Sequence, residues 1–117
     1  MKAEYLQRGE ALDYTNATEN TIPAGAIVTI GTKLGVAGCD ILPGQTGSLH
    51  VCGVFKVDKT GTAAVAMGTT VYFDGTGITD AADNGKTSTE KVEYPAAGYA
   101  AAPAAAGDHP ILVQLNG

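Results

Sequence analysis

The chain has 117 residues and a formal net charge of −5, from twelve acids against seven bases. It holds no basic cluster, so the electrostatic drive of phosphate-backbone binding is missing and nucleic acid is not an expected partner. No apolar run approaches the ~20 residues of a membrane helix, and no membrane partner is expected. Five Tyr, two Phe and no Trp leave a thin core. Val, Ile, Leu and Phe make up roughly a fifth of the chain, near the composition at which order becomes marginal. One domain is expected at this length, helped by contacts between subunits.

Residues 1–20 read as an N-terminal arm or edge strand, and residues 21–117 as a single β domain. Ala3–Leu6 and Ala11–Thr15 are short strand candidates, separated by Arg8-Gly9-Glu10 and followed by a polar stretch. Termini of this kind are loosely held unless a sheet or partner captures them. Ile22-Pro-Ala-Gly25 is a turn signal before the β-branched run Ile27–Ile30. A hairpin through Gly31 leads to Leu34–Ala37, and Ile41-Leu-Pro-Gly44 repeats the Pro-turn-strand theme.

Gly47–Asp58 is the longest alternating run. Leu49, Val51, Phe55 and Val57 share one parity, and Ser48, His50, Lys56 and Asp58 hold the other. It reads as one central strand, with a bulge or close backbone approach at Gly53. A turn follows over Val57–Thr62, then Ala63–Gly68 as a strand or crossing loop. Thr70–Asp74 and Ile78–Thr79 form a hairpin around Gly75-Thr-Gly77. Asp80–Glu90 reads as an exposed loop, Lys91–Tyr94 as a strand and Gly98–Ala102 as another. Pro103–Pro110 is a loop with room for one helical turn near Ala104–Ala106. Ile111–Leu115 closes the chain with Ile111, Val113 and Leu115 on one face. Seven or eight short strands and no strong helix predict an all-β fold: a small compact β-barrel or β-sandwich, β-clip-like among the options, with an extended N-terminal arm.

Residues able to do chemistry are few. His50, Cys52, His109 and Asp108 are the conceivable metal or nucleophile set, but their spacing favours neither a metal site nor an oriented nucleophile. The expectation is solvated or structural histidines, no catalytic residue, no metal and no cofactor. Cys39 and Cys52 form no Cys-x-x-Cys pair and read as small apolar fillers; a disulfide between them stays open. Gly31-Thr-Lys33 and Gly85-Lys-Thr87 lack the rest of a phosphate-binding loop. Asn16-Ala-Thr18 matches a glycosylation sequon, which means nothing without secretion. Met1–Gly9 shows no signal-peptide apolar region, so a bacterial cytoplasm is the expected site of synthesis.

A resemblance sharpens this reading. Ala3-Glu-Tyr-Leu-Gln-Arg-Gly-Glu-Ala-Leu-Asp-Tyr-Thr15, Ile22-Pro-Ala-Gly-Ala-Ile-Val-Thr-Ile-Gly31 and Asp40-Ile-Leu-Pro-Gly-Gln-Thr-Gly-Ser-Leu-His-Val-Cys-Gly-Val-Phe55 carry it first. Val71-Tyr-Phe-Asp74, Ala97-Gly-Tyr-Ala100 and Ile111-Leu-Val-Gln-Leu115 continue it. These stretches resemble the DUF2190 family of small phage and prophage proteins, described as capsid cement or head decoration proteins. The resemblance implies a non-enzymatic β protein, often a homotrimer. It would sit on the outer capsid surface and bridge major capsid protein subunits. On that reading Tyr5, Leu6, Arg8, Leu12 and Tyr14 are the candidate capsid contacts, through strand addition by the N-terminal segment. The alternatives are an accessory protein of a phage recombinase, a label some family members carry, and a small metal-binding β protein.

Overall fold

The computed structural model describes residues 1–61 and 63–116. They form nine strands: β1 Ala11–Thr15, β2 Ile27–Ile30, β3 Lys33–Ala37, β4 Thr46–His50, β5 Val54–Asp58, β6 Thr70–Phe73, β7 Ile78–Thr79, β8 Ala96–Ala100 and β9 Pro110–Leu115. The first sheet has the order β1-β4-β3-β2 and the second β5-β9-β8-β6-β7, with every strand pair antiparallel. Neither sheet closes on itself, so of barrel and sandwich the fold takes the sandwich-like form. The one helical element among the described residues is a single 3-10 turn, Ser88–Glu90.

The run Gly47–Asp58 is not one strand. It breaks at Val51-Cys-Gly53 into β4 of the first sheet and β5 of the second. Gly53 has φ +113, a conformation that side-chain-bearing residues rarely adopt. The alternation survives the corner: Leu49 is buried and Phe55 and Val57 are half-buried, while Ser48, Lys56 and Asp58 are exposed. The chain's organiser is therefore a corner between two sheets rather than a strand through the middle of one.

That corner divides two copies of one architecture. Strands β1, β2, β3 and β4 correspond to β5, β6, β8 and β9, in the same spatial order. The backbone hydrogen bonds correspond too. Ile22 and Ile41 exchange a pair of bonds, and so do Val65 and Ala104. Gly25 N–H donates to Ala37 C=O at 2.7 Å, and Gly68 N–H to Ala100 C=O at 2.8 Å. Val51 N–H donates to Glu10 C=O, and Leu115 N–H to Gly53 C=O.

Each paired bridge residue leads into a turn with glycine three positions on. Gly25, Gly44, Gly68 and Gly107 have φ of 86, 79, 86 and 87°. In each turn the next N–H donates back to the first carbonyl: Ala26 to Pro23, Gln45 to Leu42, Thr69 to Ala66 and Asp108 to Ala105. Positive φ at the third position is the type II turn, which glycine enters without steric penalty. Pro-turn-strand was legible twice in the sequence; the structure uses it four times.

The two buried polar side chains among the described residues also correspond. Asn16 and Lys59 each follow the first strand of their half. Asn16 Nδ2 donates to Asn20 and Ile41 carbonyls at 2.7 and 2.9 Å. Its Oδ1 accepts from the Thr18 N–H and hydroxyl. The sequon pattern is thus a turn whose Asn16 side chain is buried, with Ala17 and Thr18 exposed. Lys59 Nζ donates to Ala63 and Ala105 carbonyls at 2.7 and 3.2 Å. In both halves a buried polar head finds its own hydrogen-bond partners in loop carbonyls.

Alternation gives each sheet two faces. In the first sheet the register puts Ile27, Val36 and His50 on one face, called the front, and Leu12, Tyr14, Val28 and Leu49 on the back. In the second, Thr70, Tyr99 and Gln114 are the front equivalents, and Phe55, Val57, Val71 and Val113 the back. The core is front against back. Leu34, also on the first sheet's front, joins the cluster of Val71, Ala100, Ile111, Val113 and Leu115, with Ile27, Val36, Phe55 and Val57 packed against it. His50 lies 6.3 Å from Phe55, ring centre to ring centre.

Several expectations need correction. Ala3–Leu6 is not a strand, because no second chain segment lies beside it to supply hydrogen bonds. Lys91–Tyr94 contributes one isolated bridge, Asp83 with Glu93, rather than a strand. The strand at Gly98–Ala102 starts and ends two residues earlier, since β8 follows the register of β6 and β9. Of strand and crossing loop, Ala63–Gly68 takes the loop, with one bridge at Val65, while Ala104–Ala106 takes a bridge and turn instead of a helical turn. Of the turn at Val57–Thr62, Val57 and Asp58 belong to β5, and Thr62 lies outside the described residues.

Candidate capsid-binding surface

The conceivable chemical residues do not converge. His50 lies half-buried on the first sheet's front, against Phe55. Cys52 sits in the corner after β4, so it is not a strand neighbour of His50. His109 and Asp108 are exposed beside the last turn. Among the described residues no group of three His, Cys, Asp or Glu side chains is placed to hold a metal. Cys39 and Cys52 are both free thiols and both exposed, which corrects their reading as apolar fillers. Cys39 is in the turn before Ile41 and Cys52 at the corner, both outside the strands whose alternation buries side chains.

One carboxylate is clearly tuned. Burial pushes the Asp74 pKa up, but the Thr60 hydroxyl and donors from Thr76 and Gly77 outweigh it and bring it from 3.8 to about 2. Asp74 Oδ1 accepts from Thr76 N–H, Thr76 hydroxyl and Gly77 N–H, each at 2.9 Å. This holds the β6–β7 turn in place, a local structural task.

What the molecule does present is surface for contact. Residues 1–10 are exposed throughout and lie outside both sheets. Tyr5 is 81% and Leu6 88% exposed, with Arg8 exposed beside them. The arm runs straight into β1, which is an edge strand: β4 occupies one side and no strand the other. Leu12 is exposed and Tyr14 half-buried on the back of that strand. A free edge carries unpaired backbone donors and acceptors along one side, a template for strand addition. So the five contact candidates fall into two groups: Tyr5, Leu6 and Arg8 on the arm, Leu12 and Tyr14 on the sheet.

Exposed apolar side chains also gather on the front of the second sheet. Val54, Tyr99 and Leu112 stand there in adjacent strands. Sequence reasoning missed this patch. Val54 and Leu112 lie in apolar runs where alternation marks them as outward-facing, but only the register shows that three strands bring them together.

The family model for phage cement proteins matches residues 6–115. The chain belongs to the phage cement protein family. No curated protein and no solved structure matches. As a phage cement protein it has a structural, capsid-associated role. The match begins within the arm, at Leu6, and spans both halves of the sandwich.

Proposed function

We propose that this phage cement protein decorates the outer surface of the capsid and bridges neighbouring major capsid protein subunits as a homo-oligomer, a trimer being the favoured form. The observation that carries the reading is the exposed arm feeding a free edge strand, within a chain of cement-protein sequence. Tyr5 and Leu6 have no apolar neighbour to cover them in the isolated chain. Buried against a capsid subunit, each would contribute about 1.5–3 kcal/mol. Arg8 would supply a charged partner for a capsid carboxylate. Multiple copies of such a contact add through effective concentration. No catalytic step is required, in keeping with the scattered positions of His50, Cys52 and His109.

The test is co-sedimentation with expanded, undecorated phage heads. Full-length protein should pellet with heads to saturation. Protein lacking Met1–Gly9 should stay in the supernatant while its circular dichroism remains that of the intact sandwich. Full-length protein that never pellets would refute the reading, and undiminished binding without the arm would remove the arm from it.

A further inference from the structure

The two sheets have four edges, β1, β2, β5 and β7. Native sheets guard an edge with charge, proline, a very short strand or a covering segment. β1 carries Asp13, β5 carries Lys56 and Asp58, and β7 is two residues long. β2, Ile27-Val-Thr-Ile30, has none of these devices. Its counterpart β6 is covered: β7, from the long connection between β6 and β8, pairs along its outer side, with Tyr72 opposite Thr79 and Phe73 opposite Ile78. Val28 against Gly35 matches Val71 against Gly98, so Thr29 stands where Tyr72 does. The backbone of β2 is turned for the same pairing. Ala37 N–H donates to Ala26 C=O, and bonded and non-bonded positions alternate along an antiparallel pair. Val28 and Ile30 therefore bond to β3, while the N–H and C=O of Ile27 and Thr29 point outward. No further backbone hydrogen bond among the described residues uses them.

A groove runs beside this edge. Two adjoining hollows, of about 550 and 230 Å³, share Thr29, Glu93, Tyr94 and Pro95. The larger adds Lys33 and Tyr72, the smaller Phe73 and Val92. A residue opposite Thr29 on an added strand projects from the same face of the sheet, into the groove that Thr29 lines. We propose that an extended segment of a capsid subunit adds antiparallel to the outer edge of β2, taking there the place that β7 takes at β6. The groove sets its chemistry: an aliphatic or aromatic side chain opposite Thr29, and an acid in reach of Lys33. Glu93 is engaged by Lys91 at 3.6 Å, whereas Lys33 has no ion pair among the described residues. The inference rests on the capsid reading and deepens it. β1 and β2 are opposite edges of one four-stranded sheet, roughly 14 Å apart at three strand spacings. The arm and β1 hold one subunit and β2 holds its neighbour, so the bridge runs through the first sheet.

The experiment is hydrogen exchange by mass spectrometry on full-length protein, free and bound to expanded, undecorated heads. Peptides covering Ile27–Ile30 should exchange more slowly on heads, because the outward N–H groups of Ile27 and Thr29 gain acceptors. Thr29→Pro is the matching variant. It removes an N–H that the fold leaves unpaired, a change edge strands accept, and circular dichroism with the urea midpoint checks that the sandwich stands. It should pellet with heads about tenfold more weakly, for one lost hydrogen bond and a ring in the path of the added strand. Thr29→Lys keeps the N–H, puts an ammonium into the groove and should also weaken binding. Unchanged exchange over Ile27–Ile30 in protein that pellets, or either folded variant binding as the wild type does, would overturn the proposal and leave the capsid reading standing. Full-length protein that never pellets would refute the capsid reading and this inference with it.

Discussion

In the first half of the chain β2 and β3 are joined by two residues, Gly31 and Thr32. In the second, the corresponding strands β6 and β8 are separated by Asp74–Pro95, which adds β7 and the 3-10 turn. Otherwise the two halves use the same strand order, the same bridges and the same turns. Their side chains are largely different: Ile41 stands where Ala104 does, Leu49 where Val113 does, Asn16 where Lys59 does. Three glycine positions are shared, Gly25 with Gly68, Gly35 with Gly98 and Gly44 with Gly107. The comparison teaches that this architecture is specified by where the backbone needs glycine and where a buried polar head meets loop carbonyls. Which apolar residue fills the space between is open to exchange.

The sharpest break is at Gly98 against Gly35. A methyl group at Gly98 would overlap the Gln114 carbonyl of β9, and the residue has φ +139. At Gly35 the obstacle is the side chain of Leu49, which can move. Gly98→Ala should cost about 3 kcal/mol or more, combining backbone strain and overpacking, and Gly35→Ala about 1–3 kcal/mol. Urea unfolding midpoints compare them; equal losses would refute the distinction.

Next come the buried heads. Asn16→Ala removes four hydrogen bonds made by a side chain with no solvent exposure; the Ile41 carbonyl keeps its bond from Ile22 N–H and the Asn20 carbonyl its bond from the Thr18 hydroxyl. A loss of about 1–3 kcal/mol is expected from the lost bonds of a fully buried amide. Lys59→Ala removes the bonds to the Ala63 and Ala105 carbonyls, of which Ala105 keeps the Asp108 N–H, at a site 7% exposed, where water can replace the ammonium. About 1–2 kcal/mol is expected there. The order Asn16 above Lys59 is the checkable point in denaturant titrations.

How far the sequence reaches is clear from these positions. β9 was legible because Ile111, Val113 and Leu115 alternate cleanly and all three are buried. The Pro-turn motif was legible at Ile22-Pro and Ile41-Leu-Pro. It was silent at Val65-Ala-Met-Gly68 and Ala104-Ala-Ala-Gly107, where Ala and Met meet the same turn without a proline to mark it. The corner at Val51–Gly53 was read through, since alternation reports which way side chains point and not whether the next residue finds the same partner strand. Ala3–Leu6 looked like a strand for the same reason: its pattern suits a sheet, but no described segment of the chain pairs with it. The arm's exposed Tyr5 and Leu6 were therefore legible as residues, and the patch of Val54, Tyr99 and Leu112 was not, since it depends on pairing distant in sequence.

The smallest effect is expected at the second half's added turn. Because the Asp74 pKa is lowered on folding, its charged form stabilises the fold above the unfolded value of 3.8, and that contribution falls away as pH drops toward about 2. Asp74→Asn should lower the urea midpoint modestly at pH 7 and leave it unchanged near pH 2. A difference that persists or grows in acid would contradict this sign.

The most direct test of the cement role is the resistance of phage heads to heat. Packaged heads should be warmed with full-length protein, with protein lacking Met1–Gly9, and alone, and DNA release followed by dye fluorescence. Heads with full-length protein should release DNA at a higher temperature, and the other two should match each other. Heads saturated with full-length protein that still release DNA at the temperature of bare heads would contradict the account.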